Sequence, residues 1–295
     1  MAEKCVLYLA GGGMSGVFGA GVLTSLSKLG FYKKIDAIYA GSCGAFNAAY
    51  FLTRQTKIGS SIYFEDMKNN FIFPSHMALG ILQGLWSGWI KKIPEERMLN
   101  AIDIDYLMNI ARNAKKLNIS RLKRQKIPFF ISLYDFRNDK IEYFNIKDAD
   151  PYLILRAAIC IVPYTFCRQE LNGIDFIDGT IKEPINLDYF LKKYPNRKII
   201  IVFNGRRASG IRHNLKGWAE GVVASSMLKN KLYSSYISRE SKVRKDIKNA
   251  LSNSRVLLVY PDKKSPVRPR SRDYSTLMAT FNQGLSKGKE IAKFV

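Results

Sequence analysis

The strongest constraint on how this chain folds is a short apolar run that ends abruptly on glycine. Cys5-Val6-Leu7-Tyr8-Leu9-Ala10 leads into Gly11-Gly12-Gly13-Met14-Ser15-Gly16, and a helix candidate, Val17–Gly30, follows at once. A strand that feeds a helix through glycine can turn sharply and present consecutive backbone N–H groups at the helix N-terminus, a receptor for negative charge. The pattern recurs at Ile35–Gly41, which breaks at Ser42-Cys43-Gly44 before a helix candidate over Gly44–Arg54. Further strand candidates are Pro128–Asp135, Ile141–Asn145, Ile174–Asp178, Lys198–Asn204 and Arg255–Tyr260. Helical periodicity lies between them at Ile102–Lys116, Pro151–Ile161, Asn214–Ser252 (in two pieces) and Tyr274–Lys293. Strands alternating with helices predict an α/β layer fold with a mostly parallel sheet. No internal repeat or long low-complexity linker interrupts the 295 residues, so one domain over residues 1–295 is expected.

Charge narrows the partners without choosing among them. Lys and Arg number 47 against 24 Asp and Glu, a net charge of +23. Seven basic residues and no acid fall between Arg112 and Lys126, and Lys182 to Arg272 carries a net +16. Such a balance favours anionic surfaces, whether lipid headgroups or nucleic acid. Specific nucleic-acid binding calls for aromatic residues interleaved with the basic ones. The nearest candidates, Tyr233 and Tyr236, read as helix packing, so no specific nucleic acid is expected.

The four cysteines, Cys5, Cys43, Cys160 and Cys167, have neither metal-ligand spacing nor a dense disulfide pattern. Free thiols in a reducing compartment, and no metal, are the expectation. No run of about 18 apolar residues occurs to span a membrane. Met1-Ala2-Glu3-Lys4 does not begin a secretory signal. The expected address is the cytoplasm, with peripheral contact at an anionic membrane. Phe71–Ile93, with Trp86 and Trp89 and with Lys91 and Lys92 alongside, reads either as an interfacial flap or as an amphipathic helix on the core. Lys263–Arg272 reads as a basic surface loop.

Three constellations carry chemistry. The glycine loop can hold a phosphate or the oxyanion of an acyl transfer. A dinucleotide site wants an acid closing the next strand, and Asp36 opens its strand instead; no P-loop lysine follows either. Ala40-Gly41-Ser42-Cys43-Gly44 puts a nucleophile at a tight strand-to-helix turn, with Ala40 in place of the first glycine of G-x-S-x-G. Asp178-Gly179-Thr180 closes the strand Ile174–Asp178, where a carboxylate can reach a neighbouring strand's serine. Histidine is scarce, with only His76 and His213 present. Ser42, Asp178 and His213 fall in the order of an α/β-hydrolase triad, yet His213 sits in a basic run. Without it the base must be a carboxylate, which needs desolvation to be effective.

Taken together, these motifs resemble the patatin-like phospholipase family. Gly44-Ala45-Phe46-Asn47-Ala48-Ala49 is similar to that family's elbow helix and selects Ser42 over Cys43. Leu155-Arg156-Ala157-Ala158, with Pro163 beyond, matches its helix before the aspartate strand. The likeness covers roughly residues 4 to 205, and Gly284 and Gly288 in the final helix are compatible with it. It implies a three-layer α/β/α sandwich and a Ser42–Asp178 dyad, with oxyanion donors around Gly11, Gly12, Gly13 and Met14. Ala40, Gly41, Gly44 and Gly179 would support the motif. The implied activity is cofactor-free hydrolysis of glycerolipid esters, of the phospholipase A or lysophospholipase type. Three positions depart from the pattern: Ala40, Thr180, and Ser15, where many members carry Arg or Lys. A catalytically inactive module that binds anionic lipid or nucleic acid is the alternative.

Overall fold

The computed structural model of the protein describes residues 4–295 except 74, 77–78, 81, 84–85, 87–98, 206–211, 229–231, 263–264 and 266. Its centre is an eight-stranded sheet: β1 (Cys5–Leu9), β2 (Ile35–Ala40), β3 (Phe129–Asp135), β4 (Lys140–Asn145), β5 (Gln169–Leu171), β6 (Ile174–Asp178), β7 (Lys198–Val202) and β8 (Val256–Val259). Five strands, in the order β3-β2-β1-β7-β8, are parallel, and the others join antiparallel around β3. All of β1 is buried. Its alternate residues Cys5, Leu7 and Leu9 enter one hydrophobic core, and Val6 and Tyr8 enter the other. Burial on both faces explains why this strand reads as a continuous apolar run.

Helices cover both faces. On one side pack α1 (Val17–Lys28), α2 (Cys43–Leu52), α3 (Ile104–Asn109) and α4 (Pro151–Ala157). On the other lies α5 (Leu187–Lys193), with Leu187 and Phe190 in the second core. The C-terminal part of the chain supplies α6 (Arg212–Leu228), α7 (Leu232–Leu251) and α8 (Tyr274–Phe294). Helix α7 serves both faces, giving Leu232 and Tyr236 to the first core and Ile247 and Ala250 to the second. Helix α8 lies directly on α1, where a Cβ added at Gly284 would come within 3.1 Å of the Gly21 Cα. The result is a three-layer α/β/α sandwich.

The arrangement around β3 positions the site. Residues 130–135 of β3 pair with β4 along one edge, which leaves the other edge for two partners. β2 takes its first half, with Ala40 opposite Ile131. β6 takes its second half from the opposite direction, with Asp178 opposite Leu133. Two strands therefore end head to head along one edge of β3. Whatever follows Ala40 is brought beside Asp178.

Differences from the sequence expectations are local. Strand β5 and the short helices Thr56–Ser61, Met67–Asn70, Ile119–Arg124 and Leu187–Lys193 were not anticipated. Helix α4 stops at Ala157 rather than Ile161, because Pro163 disfavours helix in the residue before it and the chain turns there, with the Ile161 N–H donating to Thr165 Oγ1. The expected helix Ile102–Lys116 becomes α3 followed by a wide turn over Ile110–Ala114. Of Phe71–Ile93, Phe71 and Ile72 are buried and Trp86 is exposed, while Trp89, Lys91 and Lys92 lie outside the described residues. The side chain of His213 lies outside them too.

Candidate active site

Ser42 is the one residue between β2 and α2 whose backbone is forced. Its φ of 52° and ψ of −134° are unusual for a residue with a side chain, a conformation costing on the order of 1–3 kcal/mol. Small neighbours permit the turn. Ala40 ends β2 fully buried, so its extra methyl is accommodated in the core. Gly41 abuts Thr180, and a side chain at Gly44 would meet the Ala10 carbonyl oxygen at 2.9 Å. Gly11 lies against the serine itself, and a Cβ there would sit 2.8 Å from Ser42 Cβ.

Asp178 closes β6 and is completely buried. Its Oδ1 accepts the Thr180 N–H at 2.9 Å, while Oδ2 is buried with no hydrogen-bond partner. Burial pushes the carboxyl up from 3.8 to about 6. The Thr180 amide and hydroxyl, the Ser42 hydroxyl and the charge of Arg239 hold it from rising further. The serine hydroxyl is thus close enough to favour the ionised carboxylate. Gly179 packs on Ser132 of β3. Thr180, a departure from a smaller residue, gives its amide to Asp178 Oδ1.

The glycine loop is built from positive-φ residues, Gly12 at 151° and Gly13 at 55°, which glycine adopts without steric cost. Two buried asparagines hold it. Asn204, just past β7, donates to the Ala10 carbonyl at 2.6 Å and accepts the Gly19 N–H at 3.0 Å. Asn47 on α2 donates to the Gly16 carbonyl at 2.8 Å and accepts from Tyr63 at 3.2 Å. The Ser15 hydroxyl turns back to the Gly12 carbonyl at 2.6 Å, so it brings no charge to the loop. The Gly13 amide faces the Cys43 thiol, which burial pushes up to about 12 and keeps protonated.

One expectation needs correction. The Met14 N–H donates to the Pro269 carbonyl at 3.0 Å. In this conformation it is not open to an oxyanion, because the segment around Pro269 folds over the loop. That segment belongs to the basic stretch expected to be a surface loop.

Loop and elbow border one cavity of about 510 Å³, and Asp178 lies buried behind its wall. Gly12, Gly13, Ser42 and Thr180 line it near the serine, and Phe46, Ile62, Met67, Phe71 and Leu107 form an apolar arm. Arg239, Arg268 and Arg270, with Glu220, stand around the rest.

Comparison with known proteins decides the family. Residues 7–191 match the family model for patatin-like phospholipase. The chain belongs to the patatin-like phospholipase family. Among solved structures it is similar to VipD from Legionella pneumophila, at 13% identity and a TM-score of 0.49, covering 99% of this chain and 67% of that one. It is also similar to a chain in the structure of full-length SpcU with full-length ExoU from the type III secretion system of Pseudomonas aeruginosa. There the identity is 14% and the TM-score 0.31, covering 85% of this chain and 53% of that one. No curated protein matches.

For a member of this family of lipid hydrolases, the placement of the remaining groups is informative. His76 is half-buried, beside the Asn100 carbonyl at 3.2 Å with its ring tilted against Phe73, and lies outside the cavity lining. No histidine lines the cavity among the described residues. No cluster of three or more His, Cys, Asp or Glu side chains is placed to hold a metal among them. None of their helices is long and apolar enough to cross a membrane. Sequence reasoning missed Asn204, Asn47, Arg239 and Glu220. An asparagine directly after an apolar strand was the available signal for Asn204; the two charged residues lie on helices with no local mark.

Proposed function

We propose that the protein hydrolyses carboxylic esters of glycerolipids, as a phospholipase A or lysophospholipase, with Ser42 as nucleophile and Asp178 as general base. The observation that carries this reading is the pairing of a strained serine with a buried carboxylate whose Oδ2 has no partner and whose pKa is near 6. A carboxyl poised there is ionised at neutral pH yet basic enough to share the serine proton. The Ser42 oxygen attacks the ester carbonyl as its proton passes to Asp178. Amides of the glycine loop at Gly11, Gly12 and Gly13 stabilise the oxyanion. Collapse returns the proton to the departing alkoxide and leaves an acyl-serine. Water, deprotonated by Asp178, then releases the fatty acid. The apolar arm suits the acyl chain, and the basic surface suits an anionic membrane at up to roughly 1 kcal/mol per well-placed cation.

A binding-only reading draws on one observation, the Pro269 carbonyl on the Met14 amide. A fluorophosphonate ester separates the two. Covalent labelling of the wild type, lost in Ser42→Ala, supports the hydrolase; an unlabelled wild type that binds anionic vesicles supports the module.

A further inference from the structure

The cavity that holds Ser42 has a mixed lining. Beside its apolar residues stand three arginines from two remote segments: Arg239 from α7, and Arg268 and Arg270 from the exposed stretch that crosses the glycine loop. The charges of Arg239 and Arg270 both act on Tyr164 in the same wall. Glu220 on α6 is the sole acid among the described lining residues, and it accepts the Tyr164 hydroxyl. The mouth therefore keeps an excess of two positive charges.

We propose that Arg239, Arg268 and Arg270 form a headgroup subsite that selects glycerophospholipids of net negative headgroup charge. This rests on the Ser42–Asp178 reading, because the subsite is defined by its position beside that serine. Guanidinium forks match phosphate oxygens in geometry and charge. The Pro269 carbonyl is fixed to the Met14 amide, so its chain neighbours Arg268 and Arg270 are held next to the glycine loop, in the cavity that Ser42 lines. A glycerophospholipid, in which ester and phosphate share one glycerol, would bring its phosphate into that same cavity. A choline headgroup would set its fixed cation against the excess positive charge. Ser15 brings no charge to the loop, so recognition of phosphate falls to these side chains.

The test presents phosphatidylglycerol and phosphatidylcholine together in one nonionic detergent micelle, so surface charge is common to both. The ratio of their kcat/KM values is read from competition. The wild type is expected to favour phosphatidylglycerol by tenfold or more. Arg239→Gln and the double variant Arg268→Gln/Arg270→Gln should each reduce that preference at least tenfold, with Arg268→Lys/Arg270→Lys retaining part of it. Arg121→Gln/Arg124→Gln, at exposed positions outside the cavity, should leave the preference intact. Wild type without a preference, or the same loss in the Arg121/Arg124 variant, overturns the subsite. Turnover of p-nitrophenyl butyrate, absent in Ser42→Ala, reports separately on the dyad. Its survival in Ser42→Ala would remove the underlying reading.

Discussion

Two buried aspartates, one closing β6 and one on α7, have similar acidity and different surroundings. Burial pushes both Asp178 and Asp246 up to about 6. Asp246 caps α5, its Oδ2 accepting the Asn186 N–H at 3.0 Å and the Leu187 N–H at 3.4 Å. Such an anion at a helix start is a structural use of charge. Asp178 leaves an oxygen unmet and lies beside a strained serine that lines a cavity. A perturbed carboxyl alone therefore does not mark a catalytic site. An unfilled acceptor beside a strained serine is the stronger mark, since both features cost stability, and it is why the proposed dyad is placed at Asp178 and not at Asp246.

The largest test of this contrast exchanges each carboxylate for an amide. Asp178→Asn should lower ester hydrolysis roughly 10⁴-fold, on the scale of other nucleophile–base pairs. Asp246→Asn should stay within about threefold of wild type. Comparable losses in both would mean that the acidity, and not the setting, matters. Next in size, Gly11→Ala drives a methyl into Ser42 and should reduce kcat by on the order of 10²-fold, with KM little changed. Steady-state kinetics on a short-chain ester would show it, and full activity would mean the loop yields without moving the serine.

The pH dependence sharpens the contrast through opposite signs. The proposed mechanism needs ionised Asp178, so kcat/KM should fall about tenfold per pH unit below about 6 and level off above it. A profile that is flat from pH 5 to 7 would remove Asp178 as base. Stability moves the other way. A carboxyl raised from 3.8 to about 6 binds its proton more tightly when folded, so its contribution is present below 3.8 and lost as pH rises through about 6. Between pH 4 and pH 7, Asp178→Asn should gain up to about 3 kcal/mol relative to wild type in denaturant unfolding. A difference that shrinks over this range would show that the folded site favours the anion.

Much of this was legible in the sequence, for a physical reason. Ser42 and Asp178 sit where apolar strands end in small residues, and strand ends are written locally. The glycine run announces a tight loop in the same way. What brings the pair together is not local. β2 and β6 share one edge of β3 because β4 occupies the other, and no single segment encodes that. Asn204 fastens a loop about 190 residues earlier in the chain, and Arg239 reaches the cavity from a helix whose own pattern reads only as basic. Met14 illustrates the limit most directly. Its amide looked available from the loop alone, and only the fold shows Pro269 upon it.

The pairing of β1 carries one more consequence. The family match ends at residue 191, yet β1 is flanked on one side by β7, which begins at Lys198, and the helix behind the glycine loop is covered by α8. During synthesis the loop would emerge well ahead of β7 and α8 and wait for both before taking its shape. A fragment cut at the limit of the family match would carry both Ser42 and Asp178 and still lack the parts that bring the loop to working order.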